Sequence, residues 1–317
     1  MSEQNELQLS CMEIWGGNTK VHSRVELDGV SAWVCCVPFG DSEQGGDMHY
    51  MTSCATGRIT RILVADVSGH GEMVAQYAVQ LKRLMRRYTN YISQQKLVRD
   101  LNSSFSNYTS EGKFATAVAM TYFSPTGVLS FSNAGHPSPF LYKASKNEWS
   151  VLETNGQSEN DTTGDRTDLP FGVIDNAEYS QNKVQLDYND IVLLYTDSLI
   201  DARGPDGERL GVEGALELVR SLSNPQSDTL IDQIKAKLYG DSIEWHDTNL
   251  DDDMTLLLFS PSSIGNISWS RKVKAPWLMT KALLQSVFAR GGPIPWPEFT
   301  LRNLGGAFIN ALNKLKK

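Results

Sequence analysis

The chain alternates short apolar runs with stretches of helical periodicity. Arg61-Ile62-Leu63-Val64-Ala65 is compact and β-branched, and it predicts a buried strand. Directly after it, Met73, Ala75, Tyr77, Ala78, Leu81, Leu84 and Met85 recur at helical spacing. Lys82, Arg83, Arg86 and Arg87 lie towards the end, where cations suit a helix C-terminus, so a helix is predicted from about Glu72 to Ile92. Leu97, Leu101, Phe105 and Tyr108 predict a second. Ser31 to Val37 reads as a buried strand stopped by Pro38. Phe114 to Phe123 and Val128 to Ser132 flank the hairpin turn Ser124-Pro125-Thr126-Gly127. Ile191 to Tyr195 is the most strand-like run, and Met254 to Phe259 is another. Residues 212–240 predict two helices separated by Asn224-Pro225. Residues 1–30 are polar and mixed, with a turn expected at Gly16-Gly17-Asn18, and Glu153 to Asp168 predicts a mobile surface loop. Strands interleaved with two helical pairs point to an α+β sandwich, not a doubly wound parallel sheet.

Four of these strands carry an aspartate at one end. Asp66 and Asp197 follow their strands, whereas Asp47 and Asp252 precede theirs. In an antiparallel arrangement such ends can share one rim. Asp66 opens the turn Asp66-Val67-Ser68-Gly69-His70-Gly71, whose small residues let the backbone approach a ligand. One carboxylate at a strand–helix junction reads as a helix cap. Four of them favour hard-metal ligands, because Mg²⁺ and Mn²⁺ take oxygen donors and two such ions can activate a water towards a phosphoryl group.

Composition fits that reading. With 317 residues, 40% of them hydrophobic, the chain can bury a full core, as one large domain or a domain plus an extension. A net charge of −8 argues against general nucleic-acid binding and suits a carboxylate-lined metal site. The charge is uneven. Residues 262–317 hold nine Lys/Arg and only Glu298 as an acid, a net of +8 that leaves −16 for residues 1–261. We therefore divide the chain into a 1–261 domain and a basic 262–317 extension. Trp277-Leu278-Met279 to Phe288 and Phe308 to Leu315 predict two short amphipathic helices there, joined by Gly291 to Pro297. Docking of this tail on the acidic body is favoured over an interfacial or partner-binding role. Cys11, Cys35, Cys36 and Cys54 include no Cys-x-x-Cys pair, so neither a disulfide framework nor a zinc site is expected. No apolar run approaches the roughly 18–20 residues of a membrane span and no signal core opens the chain, which predicts a soluble cytoplasmic protein.

Six motifs in register make the pattern specific: Gly45-Gly46-Asp47, Asp66-Val67-Ser68-Gly69-His70-Gly71, Asn133-Ala134-Gly135-His136-Pro137, Leu169-Pro170-Phe171-Gly172, Tyr195-Thr196-Asp197-Ser198-Leu199 and Asp252-Asp253-Met254-Thr255. Across roughly residues 30–260 the chain resembles the metal-dependent protein phosphatase family (protein phosphatase 2C type), in its bacterial SpoIIE/RsbU-like branch. The resemblance implies a four-layer α-β-β-α sandwich of two mainly antiparallel sheets. It also implies hydrolysis of phosphoserine or phosphothreonine by a water activated by two Mn²⁺ or Mg²⁺ ions. Carried over by position, Asp66 and Asp47 are catalytic. Asp66 bridges the two metals, the carbonyl of Val67 binds one of them, Asp197 and Asp252 hold the other, and Asp47 is a direct or water-mediated ligand. Asp253 is adjacent support. The implied partner is a phosphorylated signalling protein, with STAS-type anti-sigma antagonists as the class common in this branch.

The chain also departs from the branch. Met48-His49-Tyr50 stands where an aromatic pair and another acid usually follow Gly-Gly-Asp, and Ser198 stands where glycine is common. A catalytically weak, phosphatase-fold binding module is therefore the alternative. A Gly-Gly-Asp-Glu-Phe-type cyclase fails because Met48-His49 replaces Glu-Phe. Of the histidines, His70 is expected to pack in its turn, His136 to shape a turn near the site, and His49 to be an exposed strand residue. Phe171-Gly172 is expected to be packing, and no arginine is marked as a phosphate clamp.

Overall fold

A computed structural model describes residues 5–8, 14–27, 29–40, 42–54, 58–69, 72–88, 91, 93–108, 112–153, 168–204, 207–222, 225, 228–240 and 252–262. The loop expected at Glu153 to Asp168 lies outside these for residues 154–167, as do His70 and the basic segment from residue 263 onward.

Six strands open the chain: β1 (Asn5–Gln8), β2 (Ile14–Thr19), β3 (Val21–Leu27), β4 (Val30–Val37), β5 (Gln44–Cys54) and β6 (Ile59–Val67). Helices α1 (Glu72–Tyr88) and α2 (Gln94–Ser106) follow. Then come β7 (Ala115–Phe123), β8 (Val128–Ala134), β9 (Phe140–Lys143), β10 (Glu148–Val151), β11 (Asn182–Gln185) and β12 (Ile191–Tyr195). Helices α3 (Asp197–Asp201), α4 (Gly211–Arg220) and α5 (Leu230–Tyr239) precede the last strand, β13 (Met254–Pro261).

The strands form two sheets, ordered β1-β3-β4-β13-β12-β9-β10 and β11-β8-β7-β6-β5-β2. Every named pairing is antiparallel except β1 with β3. Three apolar layers hold them. Val74, Ala78, Leu81 and Met85 of α1 and Leu97, Leu101 and Phe105 of α2 cover the outer face of the second sheet. Val34, Ile62, Val64, Val118, Met120, Val192, Leu194, Leu257 and Phe259 meet between the sheets. Leu216 and Val219 of α4 and Ile231 and Ile234 of α5 cover the first sheet over Trp33, Cys35, Leu193, Leu256 and Leu258. This is the α-β-β-α sandwich. Central strands read as unbroken apolar runs because both their faces are covered. Successive residues of β6 show it, with Leu63 and Ala65 under the helices and Ile62 and Val64 between the sheets.

The N-terminal region departs from expectation. The turn predicted at Gly16-Gly17-Asn18 is instead part of β2, where Gly16 has φ +128 and the register with β5 shifts between Gly17 and Thr19. A bulged, glycine-bearing edge strand has the composition of a turn, and that hid it. The chain then crosses at Lys20 from the second sheet to the first. In β3 the inward Val25 and Leu27 alternate with His22, Arg24 and Glu26, a strand signal diluted by polar residues. Helix α1 ends at Tyr88, where Tyr91 folds back against the Tyr88 ring, with centroids 5.1 Å apart. Cys35 and Cys36 are free, buried thiols on opposite faces of β4.

Candidate metal centre

Alternation along the strands decides where the acids lie. Asp47 and Asp66 are direct partners across the β5–β6 ladder. Asp66 shares the face of Ile62 and Val64, and Asp47 that of Met51, so both carboxylates turn into the space between the sheets at its open end. The other sheet supplies the remainder. Strand β12 delivers Thr196 and then Asp197, the first residue of α3, and the antiparallel β13 begins after Asp252-Asp253. The ladder continues into this corner, where Thr196 N donates to Thr255 O at 3.1 Å. The four sequence-predicted carboxylates thus meet at one rim, two from each sheet, but Asp47 and Asp66 lie within β5 and β6 and not before and after them as expected, because the ladder pairs them and carries both strands past the acids.

Their electrostatics record the convergence. The Asp66 carboxyl is pushed up to about 7, first by burial and then by the charges of Asp197, Asp252 and Asp253. Asp47, which is 2% exposed, is raised by burial and then by Asp66. Asp197 is raised by burial and then by Asp252 and Asp201. None of these three carboxylates forms an ion pair among the described residues. Like charges held together this way raise one another's pKa and favour any cation placed among them.

Three polar clasps fix the two sheets at this rim. Thr196 Oγ1 donates to Asp47 Oδ2 at 2.6 Å and accepts from Thr255 N at 2.9 Å. Because its hydroxyl is committed there, Thr196 makes no side-chain cap bond to α3 although it stands at the N-cap. Asp253 accepts from Phe39 N through Oδ1 and from Gly46 N through Oδ2, both at 2.6 Å. That explains the glycine pair before Asp47. A Cβ on Gly45 would stand 2.5 Å from Asp253 Oδ1, and one on Gly46 would stand 2.9 Å from Val74 Cγ1 and 3.0 Å from the Val67 carbonyl oxygen.

The third clasp is His136. Its Nε2 lies 3.0 Å from Tyr195 O and its Nδ1 lies 2.9 Å from Thr116 Oγ1. A carbonyl only accepts, so Nε2 carries the proton and Thr116 donates to Nδ1. Thr116 is the cross-strand partner of Asp66, and Tyr195 precedes Thr196 and Asp197, so the ring ties the two acid-bearing ends together. Asn133 holds the loop in place, accepting from His136 N and donating to His136 O, both at 2.7 Å. Burial pushes this imidazole down to about 4, so it is neutral at physiological pH.

His49 contradicts the exposed position expected of it. It is buried on the inter-sheet face two residues beyond Asp47, packed against the Trp15 ring with centroids 5.0 Å apart. Burial, and then the charge of Lys82, push it down to about 3. The pleat explains the error, since a residue two beyond an inward Asp47 also points inward. Phe171 is packing, as expected. It is fully buried and exchanges both backbone hydrogen bonds with Ala115, at 2.7 and 2.9 Å. Thr196, Thr116 and Asn133 were not singled out from the sequence, although Thr196 and Asn133 sit within motifs; Thr116 is in none.

Among the described residues, no three His, Cys, Asp or Glu side chains close around a single point tightly enough to hold an ion by themselves. The donor chemistry nevertheless fits a hard divalent cation. The rim offers carboxylate oxygens and the Val67 carbonyl, while the neighbouring Cys36 thiol is buried and held protonated by burial and then by the charge of Asp47.

Residues 56–261 match the family model described as Stage II sporulation protein E (SpoIIE). Phosphoserine phosphatase RsbU of Bacillus subtilis (strain 168) is 23% identical over 200 residues, which cover 62% of this chain and 54% of that protein. The chain thus spans about half the length of this curated relative. The fold is similar to that of the RsbU and RsbW domains of a Mycobacterium tuberculosis protein. Identity there is 22% and the TM-score 0.58, over 84% of this chain and 72% of the other. It is also similar to RsbX, solved in complex with magnesium, at 17% identity and a TM-score of 0.54 over 76% of this chain and all of that one.

Proposed function

The chain belongs to the SpoIIE family, and from that premise we propose that it is a Mn²⁺- or Mg²⁺-dependent serine/threonine protein phosphatase. The observation that carries the reading is the rim itself: carboxylates from both sheets, held together by dedicated clasps and raised by one another's charge. Asp66 would serve both ions, the Val67 carbonyl one of them, and Asp197 and Asp252 the other. Asp47 contributes directly or through a water, with its orientation fixed by Thr196. Asp253 is a brace, because both its oxygens already accept backbone N–H groups. When bound, two such ions acidify a water and neutralise charge on the phosphoryl group. The protein orients the carboxylates.

Residues 1–261 form the catalytic unit in this reading. The substrate is a phosphorylated signalling protein of the partner-switching kind, with a STAS-type antagonist as the expected class, in the cytoplasm. Among the described residues, no helix is long and apolar enough to cross a membrane. The +8 extension docks on the acidic body. A second reading, a catalytically weak phosphatase-fold binding module, is favoured by Met48-His49-Tyr50 in place of the usual aromatic pair and acid, and by the incomplete closure around any one point among the described residues. Calorimetric titration with Mn²⁺ separates the two. The phosphatase binds Mn²⁺ and loses that binding on Asp66→Asn and Asp197→Asn, and absence of Mn²⁺ binding to the wild type leaves the module reading.

A further inference from the structure

A carboxylate rim that binds metal still needs a group to receive the substrate's phosphoryl oxygens, and Lys113 is placed for it. Ser68 N donates to Phe114 O at 2.9 Å and Phe114 N donates to Ser68 Oγ at 3.1 Å. These bonds zip the segment after Asp66 to the one entering β7. Lys113 Nζ donates to Ser68 O at 3.3 Å, which puts an ammonium two residues beyond Asp66. Gly69 keeps the space open, since at φ +104 a Cβ there would stand 2.6 Å from Lys113 Nζ.

Lys113 is half-buried and makes no ion pair among the described residues. Its recorded partner is a neutral carbonyl, which a dianion displaces at little cost.

We infer that Lys113 binds a non-bridging oxygen of the substrate's phosphoryl group, leaving Ser68 O to do so. The inference rests on the phosphatase reading above. It makes Lys113 a residue that selects for phosphate monoester dianions, and it gives the Ser68-Gly69 turn the task of presenting the ammonium. A brace for that turn is the competing role.

Lys113→Met and Lys113→Arg separate these roles, using three readouts on the full chain. They are KM and kcat for a phosphoserine peptide with Mn²⁺, calorimetric binding of inorganic phosphate to the Mn²⁺-saturated protein, and Mn²⁺ affinity. Losing one charge-assisted bond predicts about 10- to 100-fold weaker phosphate binding and a matching rise in KM for Lys113→Met. Mn²⁺ affinity stays within twofold, and Lys113→Arg recovers most of the loss. Unchanged phosphate affinity and KM in Lys113→Met overturn the assignment while the phosphatase reading stands, and so does a loss that falls on Mn²⁺ affinity instead. A wild type that neither binds Mn²⁺ nor turns over the peptide removes the phosphatase reading and this assignment with it.

Discussion

Asp66→Asn should make the metal-free protein more stable while abolishing its response to metal. In the fold, the Asp66 carboxyl is pushed from 3.8 to about 7 by burial and by Asp197, Asp252 and Asp253. Each pH unit between those values is worth ~1.4 kcal/mol, so at pH 8 the charged carboxylate costs the metal-free fold about 4 kcal/mol, or roughly 2 once water and counter-ions at the rim are allowed for. The sign follows from linkage. Between pH 7 and 4 the folded state binds the extra proton, so the penalty disappears as pH falls through that window. Denaturant unfolding in EDTA at pH 8 and pH 4.5 measures it: the variant should exceed the wild type by about 2 kcal/mol at pH 8 and by almost nothing at pH 4.5. With Mn²⁺ present the order should reverse, because the wild type gains binding energy that the variant has lost. A metal-free Asp66→Asn protein less stable than wild type at pH 8 would refute the claim that these carboxylates repel one another across the rim.

The clasps give three further predictions. Thr196→Val removes the donor to Asp47 and the acceptor for Thr255 N, so it should cost about 1–3 kcal/mol in thermal or denaturant unfolding and weaken Mn²⁺ binding. Asp253→Ala should destabilise by about 2–3 kcal/mol because Phe39 N and Gly46 N lose their acceptor, whereas Asp252→Ala should above all reduce Mn²⁺ affinity. Folded His136 stays neutral down to about 4 whereas the unfolded chain takes the proton near 6.5, so its share of stability, about 3 kcal/mol, is present above pH 6.5 and drains away towards pH 4. Comparing wild type with His136→Gln at pH 7 and pH 4.5 isolates that share, and a difference that does not shrink with pH would contradict a buried neutral ring.

The sandwich was legible wherever both faces of a strand are buried. Ile191 to Tyr195 is wholly apolar, and Met254 to Phe259 and Ser31 to Val37 each carry a single small hydroxyl residue, because helices lie over one side and the other sheet over the second. Strands β2 and β3 were not legible, since an edge position and a bulge at Gly16-Gly17 let polar and glycine residues dominate. The acids were found because strand ends are marked in the sequence. Of their supports, His136 was expected to shape a turn near the site and Thr196 was not singled out, because they act on residues 59 and 149 positions away, which no local pattern encodes. The same limit concealed His49, whose burial depends on Trp15 crossing from a strand that was itself unrecognised.

The account's central claim is metal-dependent phosphatase chemistry at the Asp47–Asp66–Asp197–Asp252 rim. The most direct test is release of inorganic phosphate from a phosphoserine peptide by the full chain, in millimolar Mn²⁺ and in EDTA, for wild type, Asp66→Asn and Asp197→Asn. The account predicts turnover by the wild type in Mn²⁺ alone and none by either variant. Turnover that survives EDTA, or that persists in Asp66→Asn, would contradict it.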